Sequence, residues 1–263
     1  MKTKSFFRIL PPGVVIIATI IFLLNACSKS NNSYGSGSGT TTNGQASLSV
    51  TNASPTTSMY AVYADSTQLN SGSLLGYGMT SGTSINPYYT LQSGQRRIRL
   101  TSDGGNSYVI DSSVNLAANG HYSVFAFDTA QSGKLKTIIL NDNLTAPPSG
   151  MTEVRFLNLS PNSPLSNVLL INGTDTTSFN SVGYVGNNLL VPDSTLSAFR
   201  TVTPGTYTVV INNAAAGDAN LFKMDSLSLA SGGIYTLYSK GYVNNGVGTS
   251  NSDTLGVGVI RNY

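Results

Sequence analysis

This sequence has few of the side chains on which catalysis and covalent cross-linking depend. Of its 263 residues, one is a cysteine, one is a histidine (His121), one is a glutamate (Glu153) and none is tryptophan. A chain with one cysteine has no internal disulfide, so an apolar core alone must hold each domain. A Ser-His-Asp triad or a metal site built on two histidines also lacks parts, and we predict no cofactor and no metal.

Charged residues are also scarce, at 10% of the chain against about 25% in typical proteins. Lysine and arginine number 14 against 11 acidic residues, but Lys2, Lys4 and Arg8 all lie at the N-terminus. Without those three, the positive and negative side chains balance. No basic surface remains for nucleic acid, so a nucleic-acid partner is not predicted.

The N-terminal segment has the pattern of an export signal. Its basic residues precede an apolar run over residues 14–24, as in a secretory signal peptide. A helix of that length covers about 16 Å, half of the roughly 30 Å hydrocarbon core of a bilayer. We therefore predict that residues 1–26 are a cleaved signal and not a transmembrane anchor.

The cysteine follows this signal directly, in the run Leu24-Asn25-Ala26-Cys27. The run resembles a bacterial lipobox, and the resemblance implies cleavage before Cys27 and acylation of that residue; an ordinary signal with an incidental cysteine is the alternative. Ser28, not aspartate, comes next, which by resemblance to known sorting rules favours the outer membrane. The prediction is an exported protein held in the cell envelope, with the membrane as its partner through an N-terminal lipid.

The rest of the chain is typical of an all-β protein. Residues 27–45 are rich in Gly, Ser, Thr and Asn, which predicts a flexible tether. Beyond it, the abundant Ser, Thr, Asn and Gly disfavour helix, whereas the Val, Ile, Thr, Tyr and Phe runs favour strands. About seven short strands in about 100 residues, separated by Gly, Pro and Asn turns, predict a β-sandwich of Ig-like or Greek-key type.

The sequence after the tether occurs twice. Asn52-Ala53-Ser54-Pro55 returns as Asn158-Leu159-Ser160-Pro161, and Ser93-Gly94 returns as Pro204-Gly205. Residues 116–124, LAANGHYSV, return at 229–237 as LASGGIYTL. We therefore predict two tandem sandwiches, residues 46–146 and 150–263, joined by a short, semi-rigid segment that contains Pro147 and Pro148.

These motifs resemble the bacterial domain of unknown function 4397, which is often tandem and often found on envelope lipoproteins. The elements in common are Asn-x-Ser-Pro after a strand, Pro/Ser-Gly before a strand, and Leu-Ala-x-x-Gly-x-Tyr-Ser/Thr. The resemblance covers both copies. It implies an architecture and a location but no activity.

Two groups of side chains are candidates for binding. Arg97 and Arg99 share one face of a predicted strand and could grip an anionic glycan or a lipopolysaccharide phosphate, or they could be a solvated sheet face. The pair Tyr88 and Tyr89 could contact a carbohydrate, although tyrosine is also a common strand residue. His121 occupies the place of Ile234 in the second copy, which favours a structural role.

A third pattern concerns aspartates followed by Ser or Thr, which account for seven of the ten. Six of these pairs continue with Thr, Ala or Leu and so resemble a sequon for periplasmic O-glycosylation. The predicted acceptors are Ser66, Thr129, Thr176, Ser194, Ser226 and Thr254. The alternative interpretation is that these dipeptides are turn formers.

The sequence as a whole predicts a lipid-anchored envelope protein without catalysis, which has a structural, adhesive or ligand-presenting role. Its partner besides the membrane would be a glycan or another envelope protein. A glycan-binding lipoprotein is the first alternative, and an enzyme with an Asp-based site is the second. An aromatic or basic cleft between the domains would favour binding, and close, buried aspartates would favour an enzyme.

Overall fold

The structure is a computed structural model and describes residues 44–131, 134–187, 193–243 and 253–263. The strands are β1 (Gln45–Asn52), β2 (Ala61–Ala64), β3 (Thr67–Gln68), β4 (Tyr89–Gln92), β5 (Gly94–Thr101), β6 (Ile110–Leu116), β7 (His121–Gln131), β8 (Lys134–Asn141), β9 (Thr152–Asn158), β10 (Ser166–Asn172), β11 (Asp175–Val182), β12 (Arg200–Val202), β13 (Gly205–Asn213), β14 (Ala219–Leu229), β15 (Ile234–Lys240) and β16 (Gly256–Arg261). One short helix, α1 (Asp193–Ser197), and a 3-10 turn at Val185–Asn187 complete these elements. None of the helical segments within the described ranges has the length and apolarity to cross a membrane.

The strands form four sheets, which confirms the predicted all-β fold with two sandwiches. The first sandwich has the sheets β4-β1-β7-β8 and β3-β2-β5-β6, and the second has β12-β9-β15-β16 and β11-β10-β13-β14. The order is the same strand for strand. In each sandwich the first strand also pairs in parallel with the seventh, β1 with β7 and β9 with β15. Sequence reasoning missed β3, β11 and β12.

Each sandwich encloses its own apolar core, as the alternation along its strands requires. On β1, Leu48 and Val50 face the first core, and on β9, Val154 and Phe156 face the second. The intervening residues of both strands point to the opposite face of their sheet, which is also buried. Both faces of these two sheets are therefore covered.

The repeated Leu-Ala-x-x-Gly-x-Tyr motif makes the same contact in both sandwiches. Tyr122 and Tyr235 are the second residues of β7 and β15, and their phenol oxygens accept hydrogen bonds from the backbone N–H of Ala117 and Ala230 at 2.9 and 3.1 Å. The glycines of the two motifs give the rings room: a Cβ at Gly120 or Gly233 would lie 2.7 or 2.4 Å from the tyrosine ring. The motif thus fixes the turn that enters each strand.

The repeated Asn-x-Ser-Pro motif closes the other end of each sandwich. Ser54 Oγ donates to the carbonyl of Asp128 at 2.6 Å, and Ser160 Oγ donates to the carbonyl of Gly241 at 2.7 Å. Asp128 and Gly241 both have a positive φ, 70° and 76°, which glycine adopts freely and Asp tolerates better than most residues. These two positions are therefore structurally equivalent.

The asparagines of this motif identify a second pair of equivalent positions. Asn52 Nδ2 donates to the carbonyl of Leu75, and Asn158 Nδ2 donates to the carbonyl of Val182, both at 3.3 Å. Two residues beyond these carbonyls stand Tyr77 and Tyr184, which are consequently equivalent.

A third apolar core lies between the two sandwiches. Its buried residues are Ala53, Phe125, Phe127, Leu140, Leu157, Leu159, Tyr184, Val185, Tyr238 and Ile260. They come from the outer face of the sheet β4-β1-β7-β8, the outer face of β12-β9-β15-β16, and the loop after β11. The two sandwiches are therefore packed sheet on sheet and not merely linked by the proline segment.

The contact between the sandwiches follows an approximate two-fold symmetry. The ring of Phe127 lies 6.1 Å from the ring of Tyr184, and the ammonium of Lys240 lies 4.5 Å from the ring of Tyr77. Lys240 occupies the place of Phe127, as Tyr77 occupies that of Tyr184. Position i of one copy thus contacts position j of the other in both directions, which defines an isologous interface.

Candidate functional site

A buried ion pair crosses the interface between the sandwiches. Arg155 on β9 donates from Nη2 to Oδ1 of Asp142, just after β8, at 2.6 Å, and both side chains are at most 1% exposed. The Arg155 guanidinium also lies over the ring of Phe199, 4.6 Å from its centroid. A buried charge of this kind is tolerated only with partners.

Five side chains, the two of this pair included, form a closed ring of hydrogen bonds. Arg155 Nε donates to Thr236 Oγ1 at 2.9 Å, and Thr236 donates to Asn262 Oδ1 at 2.7 Å. Asn262 Nδ2 donates to the Tyr88 phenol at 2.9 Å, and Tyr88 donates to Asp142 Oδ2 at 2.8 Å. Tyr88 and Asp142 belong to the first sandwich and the other three to the second, so the ring joins the two.

The Asp142 carboxylate receives a further hydrogen bond from Ser123 Oγ at 2.6 Å, and Ser123 shares one with Ser49 at 3.0 Å. Burial raises the pKa of the Tyr88 phenol far above its usual value, and the Asp142 carboxylate raises it further. Tyr88 therefore remains a hydrogen-bond donor to Asp142 throughout the physiological pH range.

Each member of the ring has an equivalent position in the other copy, and that position holds a different type of residue. The strand registers pair four positions of the first sandwich with four of the second. The pairs are Ser49 with Arg155, Ser123 with Thr236, Asp142 with Asn262, and Tyr88 with Phe199. The carboxylate of the ion pair thus comes from the first copy and the guanidinium from the second.

Above this ring the two sandwiches leave an open cleft of about 720 Å³, which we call the junction cleft. The first sandwich and the segment after it contribute Ser47, Ile85, Asn86, Tyr88, His121 and Leu144, and the second contributes Gly232, Arg261, Asn262 and Tyr263. Ile85 is 76% exposed and Tyr263 is 58% exposed, so large apolar surfaces face solvent here. Tyr88 and His121 pack edge to face at 5.8 Å between centroids.

A second depression, which we call the amide groove, adjoins the cleft, since His121 and Leu144 line both. It has a volume of about 460 Å³, and its lining includes Asn119, Asn141 and Asn143, all exposed. Together the two depressions carry several side-chain amides. The cationic side chain in their lining is Arg261, and the carboxylate, Asp142, is buried against Arg155.

The structure separates the two tyrosines proposed for carbohydrate contact. Tyr88 lines the junction cleft, with its phenol bound into the buried ring. Tyr89 is paired with Leu48 in the sheet, and as the next residue along the strand it points to the opposite face. Of the pair, Tyr88 is thus the one that reaches the cleft.

The two arginines of β5 lie on the other sheet of the first sandwich, away from Tyr88. Arg97 is exposed and forms a two-pronged ion pair with Asp111, with both distances 2.6 Å. Arg99 lies over the ring of Tyr108, 4.5 Å from its centroid, and donates to the carbonyl of Asp65. Both arginines already have protein partners, as on an ordinary solvated sheet face.

The six predicted acceptor hydroxyls are mostly accessible. Ser66, Thr176, Ser194, Ser226 and Thr254 are exposed and Thr129 is half-buried. Ser66 lies in the turn between β2 and β3, but Ser226 lies within β14 at a β-bulge and has a positive φ of 67°. Exposure is a precondition of glycosylation, and it is met at five sites. Thr129, Thr176 and Ser226 lie within strands and Ser194 lies within α1, so the turn-former interpretation fits Ser66 better than these four.

The predicted lipidation site, Cys27, lies outside the described residues, as do the predicted signal and most of the predicted tether. Within the part of the chain that the structure describes, no cluster of three or more His, Cys, Asp or Glu side chains could hold a metal ion. Sequence reasoning missed Asp142, Arg155 and Asn262. Arg155 stands between Val154 and Phe156 in β9, and its repeat partner in the first copy is Ser49.

No curated protein matches this chain. Among solved structures, a family 26 carbohydrate-binding module from Eubacterium rectale Amy13K in complex with maltoheptaose is 14% identical, over 80% of this chain and 95% of that one, with a TM-score of 0.24. A streptococcal virulence factor described for alpha-glucan binding is 9% identical, over 73% and 91%, with a TM-score of 0.22. A Bacteroides uniformis protein provisionally named a cell adhesion protein is 10% identical, over 82% and 98%, with a TM-score of 0.24.

The family comparison concerns the first half of the described fold. The profile of the family described as "Domain of unknown function (DUF4397)" matches residues 46–169, which span the first sandwich, β9 and the start of β10. Over that span, the resemblance inferred from the repeated motifs is confirmed.

Proposed function

We propose that this protein is a non-catalytic, lipid-anchored protein of the bacterial cell envelope that binds an uncharged saccharide in the junction cleft. The observation that carries the proposal is the cleft itself, which is built from both sandwiches. Its volume of about 720 Å³ lies in the usual range for ligand sites. Its position between two packed domains is also a common one for such sites.

The chemistry of the lining favours a saccharide. Sugar rings present hydroxyls, which planar amides can both donate to and accept from, and C–H faces, which pack on apolar and aromatic surfaces. Asn86 in the cleft and Asn143 in the adjoining amide groove supply exposed amides, and Ile85 and Tyr263 supply the exposed apolar surfaces of the cleft. Arg261, whose Nε donates to the carbonyl of Tyr263 at 3.2 Å, adds the N–H donors of its guanidinium without an exposed acid beside it in the lining.

The same geometry does not support the Asp-based enzyme that the sequence left open. General acid–base chemistry needs a titratable group that can reach a substrate. The Asp142 carboxylate is fully buried and takes hydrogen bonds from Arg155, Tyr88 and Ser123. It is a single aspartate neutralised by a guanidinium, not the pair of close carboxylates that an Asp-based hydrolase would need.

Glycan-array screening tests this proposal, with a fragment that begins at Gly39, since residues 39–263 form one compact unit. We expect binding to uncharged oligosaccharides, and we expect Tyr263→Ala to weaken it up to about tenfold, the value of one aromatic contact. Arg97→Ala is the matched control on the outer face of the first sandwich and should leave binding unchanged. Loss of binding in Arg97→Ala alone would instead favour the anionic site on β5.

The lipid anchor has its own test. Replacing the single cysteine, in Cys27→Ser, should abolish both labelling with palmitate and cleavage of the lipoprotein type. Labelled palmitate on that variant would refute the assignment.

Modification of the six Asp-Ser/Thr sites is a further part of the proposal. Protein purified from its native envelope should carry hexose-containing adducts on some of these hydroxyls by mass spectrometry. A mass that shows no addition other than lipid would leave the aspartates as turn formers only.

A further inference from the structure

Two residues that line the junction cleft, one from each sandwich, are bonded directly to each other. Tyr88 lies before β4 in the first sandwich, and Asn262 follows β16 in the second; both line the cleft and are joined by a hydrogen bond of 2.9 Å. The cleft keeps its shape only if these two residues keep their distance. Its geometry therefore depends on how the second sandwich is seated on the first.

The guanidinium of Arg155 binds a hydrogen-bond partner of each of these two residues. Through Nη2 it holds Asp142, which accepts the hydrogen bond of Tyr88, and through Nε it holds Thr236, which donates to Asn262. Arg155 itself is 1% exposed and does not line the cleft. It can thus influence a ligand only by placing the residues that do.

We propose that Arg155 is the positioning residue of the junction cleft, which fixes Tyr88 and Asn262 side by side and on which ligand binding depends. This inference rests on the proposed function, since it assumes that the cleft is the ligand site. Arg155 acts through the planar fork of its guanidinium, whose separate N–H groups reach two partners in fixed directions.

The first sandwich shows what the position contains when it has no such role. There Ser49 occupies the position equivalent to Arg155, and its hydroxyl shares a hydrogen bond with Ser123 of the same sandwich. Arg155→Ser therefore gives the second sandwich the side chain of the first. The shorter side chain cannot span the interface, and it leaves Asp142 without its cation.

The test uses three variants of the full chain, all carrying Cys27→Ser. They are Arg155→Ser; Arg155→Ser with Asp142→Asn, which also removes the unpaired charge; and Leu170→Ala, which weakens the core of the second sandwich away from the interface. Spin labels on Gln95→Cys and Lys223→Cys, exposed residues of the two sandwiches, report the inter-sandwich distance. Binding is measured with the oligosaccharide that the array selects.

We expect both Arg155→Ser variants to bind at least about tenfold more weakly and to show a broadened distance distribution. The double variant should recover stability without recovering binding. It no longer buries the unpaired carboxylate of Asp142, but it still lacks the guanidinium that links Asp142 to Thr236. Leu170→Ala should be less stable, yet bind within about twofold of the parent under conditions in which it is folded, since its cleft is intact. A role in stability alone would instead make binding follow stability in all three.

Two results would overturn the inference: unchanged affinity in Arg155→Ser, or a distance distribution as narrow as that of the parent. If Arg155→Ser does not fold, the double variant answers the same question. Should the parent bind no saccharide at all, the proposed function fails, whereas the spin-label distances still decide whether Arg155 sets the geometry of the cleft.

Discussion

Tyr122 and Tyr235 accept the same backbone hydrogen bond in the two sandwiches, whereas Ser49 and Arg155, at equivalent places on β1 and β9, contact different partners. The first pair lies at the start of β7 and β15, where each phenol binds the turn that enters its strand. The second pair lies on the faces with which the sandwiches meet. The two copies thus agree in the motifs that shape each sandwich and differ where they touch each other.

This difference shows how two similar domains can specify one arrangement. If both copies had the residues of the first, Ser49 would occupy this position on both sides of the interface, and each Asp142 would be buried without a cation. Because the second copy has Arg155 and Asn262 at the equivalent positions, only the unlike pair satisfies the buried carboxylate. Burying an unpaired charge is costly, so the residues that differ also disfavour pairing of like with like.

The largest expected effect comes from breaking the ion pair. Arg155→Ala leaves the Asp142 carboxylate buried without its charged partner, and we expect it to lower the free energy of unfolding by about 3–5 kcal/mol. Urea denaturation measures this. Ser49→Ala, at the equivalent place, removes only a neutral hydrogen bond and is the matched control. A loss below about 1 kcal/mol in Arg155→Ala would contradict the importance of the pair.

The glycines of the repeated motif test whether the two copies are alike inside. In Gly120→Ala and Gly233→Ala the new methyl group would meet the ring of the following tyrosine, so each should cost about 1–3 kcal/mol. Gly72→Ala is the control, because nothing lies within 4 Å of its added Cβ. Thermal unfolding compares the three, and a large cost in one copy only would break the equivalence.

A smaller effect should follow from removing the phenols of the same motif. Tyr122→Phe and Tyr235→Phe each lose one hydrogen bond from a backbone N–H, which is worth about 0.5–1.5 kcal/mol. We expect similar values in the two copies by chemical denaturation. Values that differ severalfold would mean that the turns are held differently despite their shared sequence.

The smallest effect concerns pH and one copy only. Burial by itself raises the pKa of Asp128, but the hydrogen bonds that its carboxylate accepts, from Lys136 first, together with the charge of Lys136, outweigh burial and hold the pKa below its usual value. The stability that this group supplies is therefore present above about pH 4 and is lost as the pH falls through the lowered pKa. The second copy has Gly241 at the equivalent position and therefore lacks this pH-dependent contribution to stability.

Denaturation from pH 7 to pH 2 measures this contribution, with Asp128→Asn as the test variant. Asparagine tolerates the positive φ of the position, so the variant should be less stable than the parent at pH 7 and equal to it at the acid end. A gap that stays constant over the whole range would exclude titration of Asp128 as the cause.

The all-β class, the two copies and the equivalence of Asn52 with Asn158 could all be predicted from the sequence. Each depends on a local pattern, either residue composition or a motif that returns at a nearly fixed spacing, and each is visible along the chain. The strands that were missed carry no such pattern. β3 has only two residues and β12 has three, and β11 is rich in Ser, Thr and Asn, which are as common in loops.

The candidate site was predicted only in part. Tyr88 was predicted as a contact residue, but together with Tyr89. Arg97 and Arg99 were predicted as a second candidate group. Adjacent residues of a strand point to opposite faces, and the two arginines belong to the other sheet. Sequence proximity therefore grouped side chains that the sandwich keeps apart.

The sequence by itself determined what each sandwich is, because strand alternation and turn chemistry act between near neighbours along the chain. Only the tertiary structure decided what the two sandwiches make together. Tyr88 and Asn262 are 174 residues apart, and Asp142 follows a strand of one sheet whereas Arg155 lies on a strand of another. Which side chains meet at the interface depends on the seating of one sheet on another, and that seating results from apolar packing and one buried charge pair acting across the whole fold.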